Sequence, residues 1–225
     1  MPHVRRLLPL LLLGACTTSG AASEQSTPPA GAAAMATDAS TSTSGTASAA
    51  SIDGTLVELA ATANKVEKIK LRTTADGTLV KQALYHDKAD AIPEPVHALA
   101  SKEFPKGTII HYETELYADL GRVYEIELDD GGKACEVAAT EDGSKVYTEC
   151  QIDPTTLSAA VKATIDKVAP GGKILEAETK KGPSVDETTV EVQVGDRELY
   201  LRIGPDGALI QALRRIPAIV EVPLP

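Results

Sequence analysis

The chain has 225 residues, with 32 acidic and 22 basic side chains and a net charge of −10. An acidic surface repels phosphate backbones, so this composition argues against nucleic acid as a partner. The chain has six Tyr, one Phe and no Trp, which argues against a protein-binding surface that relies on many aromatic side chains.

Residues 1–15 predict a signal peptide. Two arginines precede an apolar run at positions 7–13, and small residues then lead to Cys16. The run is too short to span a bilayer and has the order of parts of a secretory signal. Residues 13–16 (LGAC) resemble the lipobox of bacterial lipoproteins, which implies a covalent lipid on Cys16, and Thr17 then implies the outer membrane. The alternative is an ordinary secretory signal with a chance cysteine.

Residues 17–50 predict a flexible tether. They consist mostly of Ser, Thr, Ala, Gly and Pro, a composition that buries too little apolar surface to fold. A coil of 34 residues has a reach of roughly 30 Å. Residues 16–50, the lipidated cysteine and the tether, are therefore expected to attach a globular head to the cell envelope, at the outer membrane and facing the periplasm.

The head begins with residues 51–91, which predict a partial unit made of strands only. Residues 55–60 and 66–72 are short β-like runs, and the second alternates with a period of two. After a turn at Asp76-Gly77, residues 79–85 are expected to return as the partner strand.

Residues 92–152 predict a helix followed by four strands. Prolines suit the first turn of a helix, and here they stand at positions 93 and 95. Val96, Leu99 and Phe104 share one apolar face of that helix. The expected strands are residues 108–117, 122–128, 133–139 and 145–150.

Residues 153–225 repeat this order of elements. Asp153 is expected as the helix N-cap, with Pro154 at the first helical position. The Asp-Gly turns at Asp76, Asp142 and Asp206 recur at intervals of 66 and 64 residues, which predicts tandem units. The expected strands are residues 173–178, 188–194, 197–203 and 208–214. The apolar end, residues 215–225, is expected either as an extended arm over apolar surface or as a peptide offered to a partner.

The two longer units, with a Pro-opened helix, a Pro-Gly stop, four strands and an Asp-Gly hairpin, resemble the PepSY-like family, which is related to the β-lactamase inhibitor protein. The resemblance covers about residues 92–214. It implies an α+β fold of tandem helix-plus-antiparallel-sheet units, with helices packed on one face of a curved sheet and the other face free to bind. It brings no catalytic residues with it.

Strand alternation predicts which side chains line that free face. Glu125 and Glu127 alternate with apolar residues in the first unit, as Glu191 and Gln193 do in the second. This face is either an acidic recognition patch or a plain solvated surface.

Cys135 and Cys150 lie on the two strands of one expected hairpin. A two-residue turn at Asp142-Gly143 places the two thiols opposite each other, whereas a three-residue turn with a glycine bulge places them on opposite faces. A secreted protein folds in an oxidising compartment, so we expect a structural disulfide.

The sequence shows no catalytic constellation. His86, His97 and His111 follow no zinc-ligand spacing, and no serine lies in a G-x-S-x-G elbow. We therefore expect no metal, no cofactor other than the lipid on Cys16, and no enzymatic activity. A hydrolase or metal-dependent enzyme would require the histidines and carboxylates to cluster.

These patterns together predict a membrane-anchored, non-catalytic periplasmic module. Its expected partners are the membrane, through the lipid, and an unidentified envelope protein, through the open face of the sheet. The alternative is an inhibitor of a protease or other envelope hydrolase, for which Tyr117 and Asp119 are the candidate residues of an inserting loop.

Overall fold

The computed structural model describes residues 55–224, which belong to one compact unit of the chain. Ten strands form one antiparallel sheet in which every strand pairs with its neighbours in sequence. The helices are α1 (Val57–Thr62), α2 (Glu94–Glu103) and α3 (Ala159–Val168). The strands are β1 (Val66–Thr73), β2 (Leu79–His86), β3 (Thr108–Tyr117), β4 (Gly121–Asp129), β5 (Ala134–Ala139), β6 (Lys145–Gln151), β7 (Lys173–Gly182), β8 (Val185–Val194), β9 (Arg197–Ile203) and β10 (Leu209–Arg215).

The helices pack on one face of the sheet, and each covers its own group of strands. Val96 and Ala100 of α2 pack with alternate residues of β4 and β5, such as Ile126 and Val137. α3 packs in the same way on β7 to β9. The period of two in a strand explains this arrangement, since it places every second side chain under the helices.

Two Asp-Gly turns fix the sheet against the helices. Gly143 (φ +80°) and Gly207 (φ +84°) adopt a left-handed backbone conformation that favours glycine. A Cβ on Gly143 would lie 2.8 Å from Pro95 Cβ, and one on Gly207 would lie 2.8 Å from the Ala160 backbone. Each hairpin therefore contacts the N-terminal end of the helix that packs on its strands. Glycine is required at these positions because a side chain would clash with the helix and because the backbone is left-handed.

The expectation that residues 51–91 form strands only is wrong, because residues 57–62 form α1. The segment VELAAT contains good helix formers, and its period-two alternation is too short to distinguish a strand from a helix. Leu56, Leu59 and Ala60 pack on Leu84 and Leu116. Tertiary burial of this small apolar face therefore selects the helix.

The start of α3 also differs from the expectation. Asp153 caps only a 3₁₀ turn at Pro154–Thr156, where its carboxylate accepts a hydrogen bond from Thr155 N at 2.8 Å. The N-cap of α3 is Ser158, whose Oγ accepts from Val161 N at 3.2 Å. Ser158, five positions later, thus replaces Asp153 as the cap of α3.

Cys135 and Cys150 are joined by a disulfide in β5 and β6. The hairpin combines both turn geometries. Ala139 lies opposite Lys145, the register of a three-residue turn, and an irregularity between Ala138 and Ala139 then shifts the ladder so that Cys135 faces Cys150. A β-bulge therefore brings the two thiols onto one face.

The sheet curls so strongly that its two ends approach each other. The Arg72 guanidinium on β1 lies 5.7 Å from the centre of the Tyr200 ring on β9, although β2 to β8 separate the two strands in the sheet. Arg215 on β10 lies 5.1 Å from the same ring. The helix-free face is therefore the inside of the curl.

The chain after β10 continues without regular structure to residue 224. Val220 and Val222 line a small cavity with Leu56, Leu71 and other apolar residues of α1, β1 and β2, so this arm crosses from the last strand of the sheet to the first. Among residues 55–224, none of the helices is both long and apolar enough to cross a membrane.

Candidate functional site

The inside of the curl is lined by charged and tyrosine side chains. Cross-strand pairing places these residues on one face, opposite the helices, from β2 to β9. They include Lys81, Tyr85, Glu113, Glu115, Tyr117, Glu125, Glu136, Tyr147, Glu149, Glu178, Lys180, Glu187, Tyr200 and Arg202. A buried polar layer of this size is costly unless its groups are paired.

Three of the buried acids in this layer, Glu115, Glu149 and Glu187, have a basic partner. Lys81 pairs with Glu115, and the side chains are 11% and 1% exposed. Lys180 lies 2.5 Å from Glu149. Arg202 binds Glu187 through two hydrogen bonds of 2.8 Å each. In each pair the basic side chain compensates the negative charge of a carboxylate that is buried away from water.

Tyrosine rings separate the ion pairs along the layer. Lys180 Nζ stands 3.7 Å from the centre of the Tyr147 ring, and Lys81 Nζ stands 4.8 Å from that of Tyr117. The Tyr147 hydroxyl in turn donates a hydrogen bond to Glu125. Each ring thus covers an ammonium group with its face and binds it by a cation–π contact.

Glu113, Glu115 and Glu125 form the most unusual cluster in this layer. Glu113 and Glu125 lie directly opposite each other on β3 and β4, and all three side chains are buried. One carboxylate oxygen from each lies within 4.8 Å of the other two. Three carboxylates this close repel each other unless a proton or a cation lies among them.

The pKa values in the cluster diverge. Burial, followed by the charges of Glu125 and Glu115, raises the pKa of Glu113 well above its usual range. Burial also opposes ionisation of Glu115, but the ammonium of Lys81 and hydrogen bonds lower the pKa of Glu115 to about 2. Glu115 is therefore the ionised member of the pair, and Glu113 is the member that holds a proton most readily.

A second acid gives a pH-dependent expectation for stability. Burial, then the charges of Glu149 and Glu176, raises the pKa of Glu178 to about 8 from 4.5. The folded chain therefore holds this proton more tightly than the unfolded chain, so stability present below pH 4.5 is lost as pH rises towards about 8.

The substitution Glu178→Gln mimics the neutral form. We expect it to change stability little at about pH 4 and to raise the free energy of unfolding by about 1–3 kcal/mol at about pH 8, a range discounted for partial exposure. Urea unfolding at both pH values measures this difference. The exposed control Glu141→Gln should show no such pH dependence, and an equal effect of Glu178→Gln at both pH values would contradict the assignment.

The residues expected to line an open face are not equally accessible. Glu125 is 3% exposed, so its assignment to a solvated face is wrong. Glu127 binds His111 at 2.7 Å, and Glu191 binds Arg215 at 2.5 Å. Gln193 donates hydrogen bonds to the carbonyls at both sides of the β8–β9 turn. The alternation was read correctly, but the face it defines turns inwards.

Tyr117 and Asp119 do not form an inserting pair. Tyr117 faces the inside of the curl beside Lys81, whereas Asp119 is exposed in the turn between β3 and β4. Since the two side chains point to different surroundings, the inhibitor alternative loses its candidate loop. Cys16 lies outside the described residues.

Sequence reasoning did not single out Glu113, Glu115, Lys81 or Lys180. The segment HYETELY, residues 111–117, alternates regularly, so its second face looks like an ordinary wet surface. The four side chains on that face can all ionise: His111, Glu113, Glu115 and Tyr117. This density of ionisable groups on one strand face was the available signal.

No protein-family model matches this chain, and no curated protein matches it. Several solved structures are similar at low identity. A protein of Bacteroides eggerthii described as periplasmic has 15% identity and a TM-score of 0.47, over 55% of this chain and 88% of its own.

Two further structures give the same level of similarity. A BLIP-like protein of Bacteroides fragilis has 16% identity and a TM-score of 0.45, over 57% of this chain and 89% of its own. A DUF2874 family protein of Bacteroides uniformis has 17% identity and a TM-score of 0.44, over 54% of this chain and 88% of its own. At TM-scores below 0.5, this likeness transfers neither a family nor a function to the chain.

Proposed function

We propose that this chain is a lipid-anchored, non-catalytic protein-binding module of the cell envelope, facing the periplasm, and that it binds through the edge of its sheet at β10. The anchor rests on the resemblance of residues 13–16 to a lipobox and on the tether at 17–50. The binding surface differs from the one expected from sequence, because the helix-free face is the inside of the curl.

The observation that supports the edge is an exposed apolar strip on β10 and the residues after it. Leu209, Ile210 and Ile216 are 45%, 50% and 71% exposed. Within residues 55–224, β10 pairs only with β9, so its outer edge has no strand partner. A free edge beside apolar side chains suits the addition of an extended segment from another protein as an eleventh strand.

Leu209 and Leu175 give a matched pair for testing this surface. Both are 45% exposed, but Leu175 lies on β7, which has a strand on each side. A photo-crosslinking residue at Ala212 of β10 should capture one envelope protein in living cells. Leu209→Lys should abolish that product, and Leu175→Lys should retain it.

The lipid anchor is tested separately in the same cells. The chain should fractionate with membranes, and Cys16→Ser should release it into the soluble periplasmic fraction. Absence of a crosslinked product, or its equal loss in both lysine variants, contradicts binding at the edge. If the Cys16→Ser chain stays with the membranes, the lipid anchor is contradicted, but binding at the edge is not.

A further inference from the structure

We propose that Glu113, Glu115 and Glu125 bind one divalent cation of the class that prefers oxygen ligands, with a size that favours calcium. The three carboxylates come from adjacent strands, β3 and β4, and project from the same face. One oxygen from each lies within 4.8 Å of the other two. Calcium binds oxygen at about 2.3–2.6 Å, so two of its ligands are separated by up to about 5 Å.

The oxygens available for a cation are those that no other group binds. Glu113 is 2% exposed, and neither of its carboxylate oxygens has a well-aligned hydrogen-bond donor among the described residues. Its polar neighbours are the Tyr85 hydroxyl and the Glu115 carboxyl. Oε2 of Glu115 is also buried and without such a donor within residues 55–224. Unpartnered buried carboxylate oxygens are rare, because each gives up its hydration without a replacement.

Two other oxygens of the cluster are already bound, which restrains their carboxylates. Lys81 pairs with Oε1 of Glu115, and the Tyr147 hydroxyl donates to Oε2 of Glu125. Each contact fixes one oxygen of its carboxylate. Fixed neighbours of this kind orient the ligands of a metal site.

The local charge also favours a cation. The charge of Glu136 acts on Glu113 in addition to those of Glu115 and Glu125. The basic groups that act on Glu113 are Lys81, which Glu115 binds, Lys70 and Lys68. When all four carboxyls are ionised they outnumber the three ammonium groups, so a divalent ion would offset the excess negative charge.

The cluster is connected to the surface along its own strands. Two residues before Glu113 on β3 is His111, and opposite it on β4 is Glu127. Their side chains are 13% and 19% exposed. The partly exposed side chains nearest the cluster along these strands are therefore His111 and Glu127.

The competing explanation is that a proton shared between Glu113 and Glu115 takes the place of the cation. The full-length chain, purified in a nonionic detergent and freed of metal with EDTA, distinguishes the two. Calorimetric titration with calcium chloride should show one saturable site per chain, and calcium should raise the melting temperature. Magnesium should require at least tenfold higher concentration for the same rise, because its shorter bonds demand tighter geometry.

Glu113→Gln and Glu141→Gln are matched variants for this experiment. The first removes an ionisable carboxyl from the cluster with little change of shape, and the second makes the same change at an exposed turn. Glu113→Gln should weaken calcium binding at least 100-fold and abolish the calcium-dependent rise in melting temperature. Glu141→Gln should leave both unchanged.

The metal-free melting temperature separates a ligand role from a purely structural one. Glu113→Gln should not lower it, because a neutral amide replaces a carboxyl whose pKa burial and its acidic neighbours raise well above its usual range. A wild-type chain that shows no calcium response, or a Glu113→Gln chain that keeps the wild-type response, overturns the proposal. An equal response to magnesium and calcium overturns the assignment to calcium.

Discussion

Replacement of Lys81 by Met should lower the free energy of unfolding by about 3–5 kcal/mol, because it leaves the buried carboxylate of Glu115 without its counter-charge. Met preserves most of the aliphatic volume that lies beside Tyr117. The exposures of 11% for Lys81 and 1% for Glu115 mean that water cannot replace the lost ammonium. Urea unfolding near neutral pH in EDTA measures the effect.

The double variant Lys81→Met with Glu115→Gln completes the test. Removal of the charge that Lys81 balances should recover much of the lost stability, since replacing both members of a buried pair costs less than breaking it. Lys65→Met is the control, because the Lys65–Glu67 pair is exposed and exposed pairs contribute at most about 1 kcal/mol. A Lys81→Met effect no larger than that of the control would show that the pair is in water.

Replacement of Ile126 by Ala should destabilise the chain by about 2–5 kcal/mol, through lost apolar burial and the cavity left behind. Ile126 is 0% exposed and stands on β4 beneath α2, within the core that includes Val96 and Val137. The neighbours belong to a helix and to paired strands, so they have little freedom to collapse into the space.

Ile110 provides the matched control for this substitution. It lies on the adjacent strand β3 and is 53% exposed, so Ile110→Ala should change the free energy of unfolding by less than about 1 kcal/mol. Equal effects at the two positions would show that α2 does not cover β4 as described.

Local sequence signals account for most of the elements. Alternation in residues 122–128 and 188–194 predicted strands that the structure contains as parts of β4 and β8. The prolines at 93 and 95 and the apolar face at Val96 predicted α2. These signals work because the period of a helix or a strand is set locally, by which side chains must face the core.

The curl of the sheet could not be predicted in the same way. Glu125 alternates with apolar neighbours whether its face of the sheet is open or closed. The alternation therefore does not predict the curvature of the sheet. The contact of Arg72 with Tyr200 joins residues 128 positions apart and depends on the twist summed over the whole sheet. The acidic cluster was missed for this reason, because its burial is a property of the curl and not of any one strand.

Competition between local sequence signals explains two smaller differences between the predicted and the observed elements. Residues 55–60 are predicted as a β-like run because six residues are too few to show a helical period, and packing on Leu84 decides the outcome. At the start of α3, Asp153 and Ser158 are both good caps. The chain uses both, one for the 3₁₀ turn and one for the helix.

Carboxylate footprinting measures directly whether the helix-free face is a closed, charged interior. The folded full-length chain is treated with a carbodiimide and an amine, and labelled glutamates are located by mass spectrometry. Glu94 and Glu141, which are exposed, should label quickly. Glu113, Glu115, Glu125 and Glu149, which are at most 3% exposed, should label only after unfolding in urea. Labelling of Glu125 and Glu149 in the folded chain as fast as Glu94 would contradict the closed interior and restore an open face.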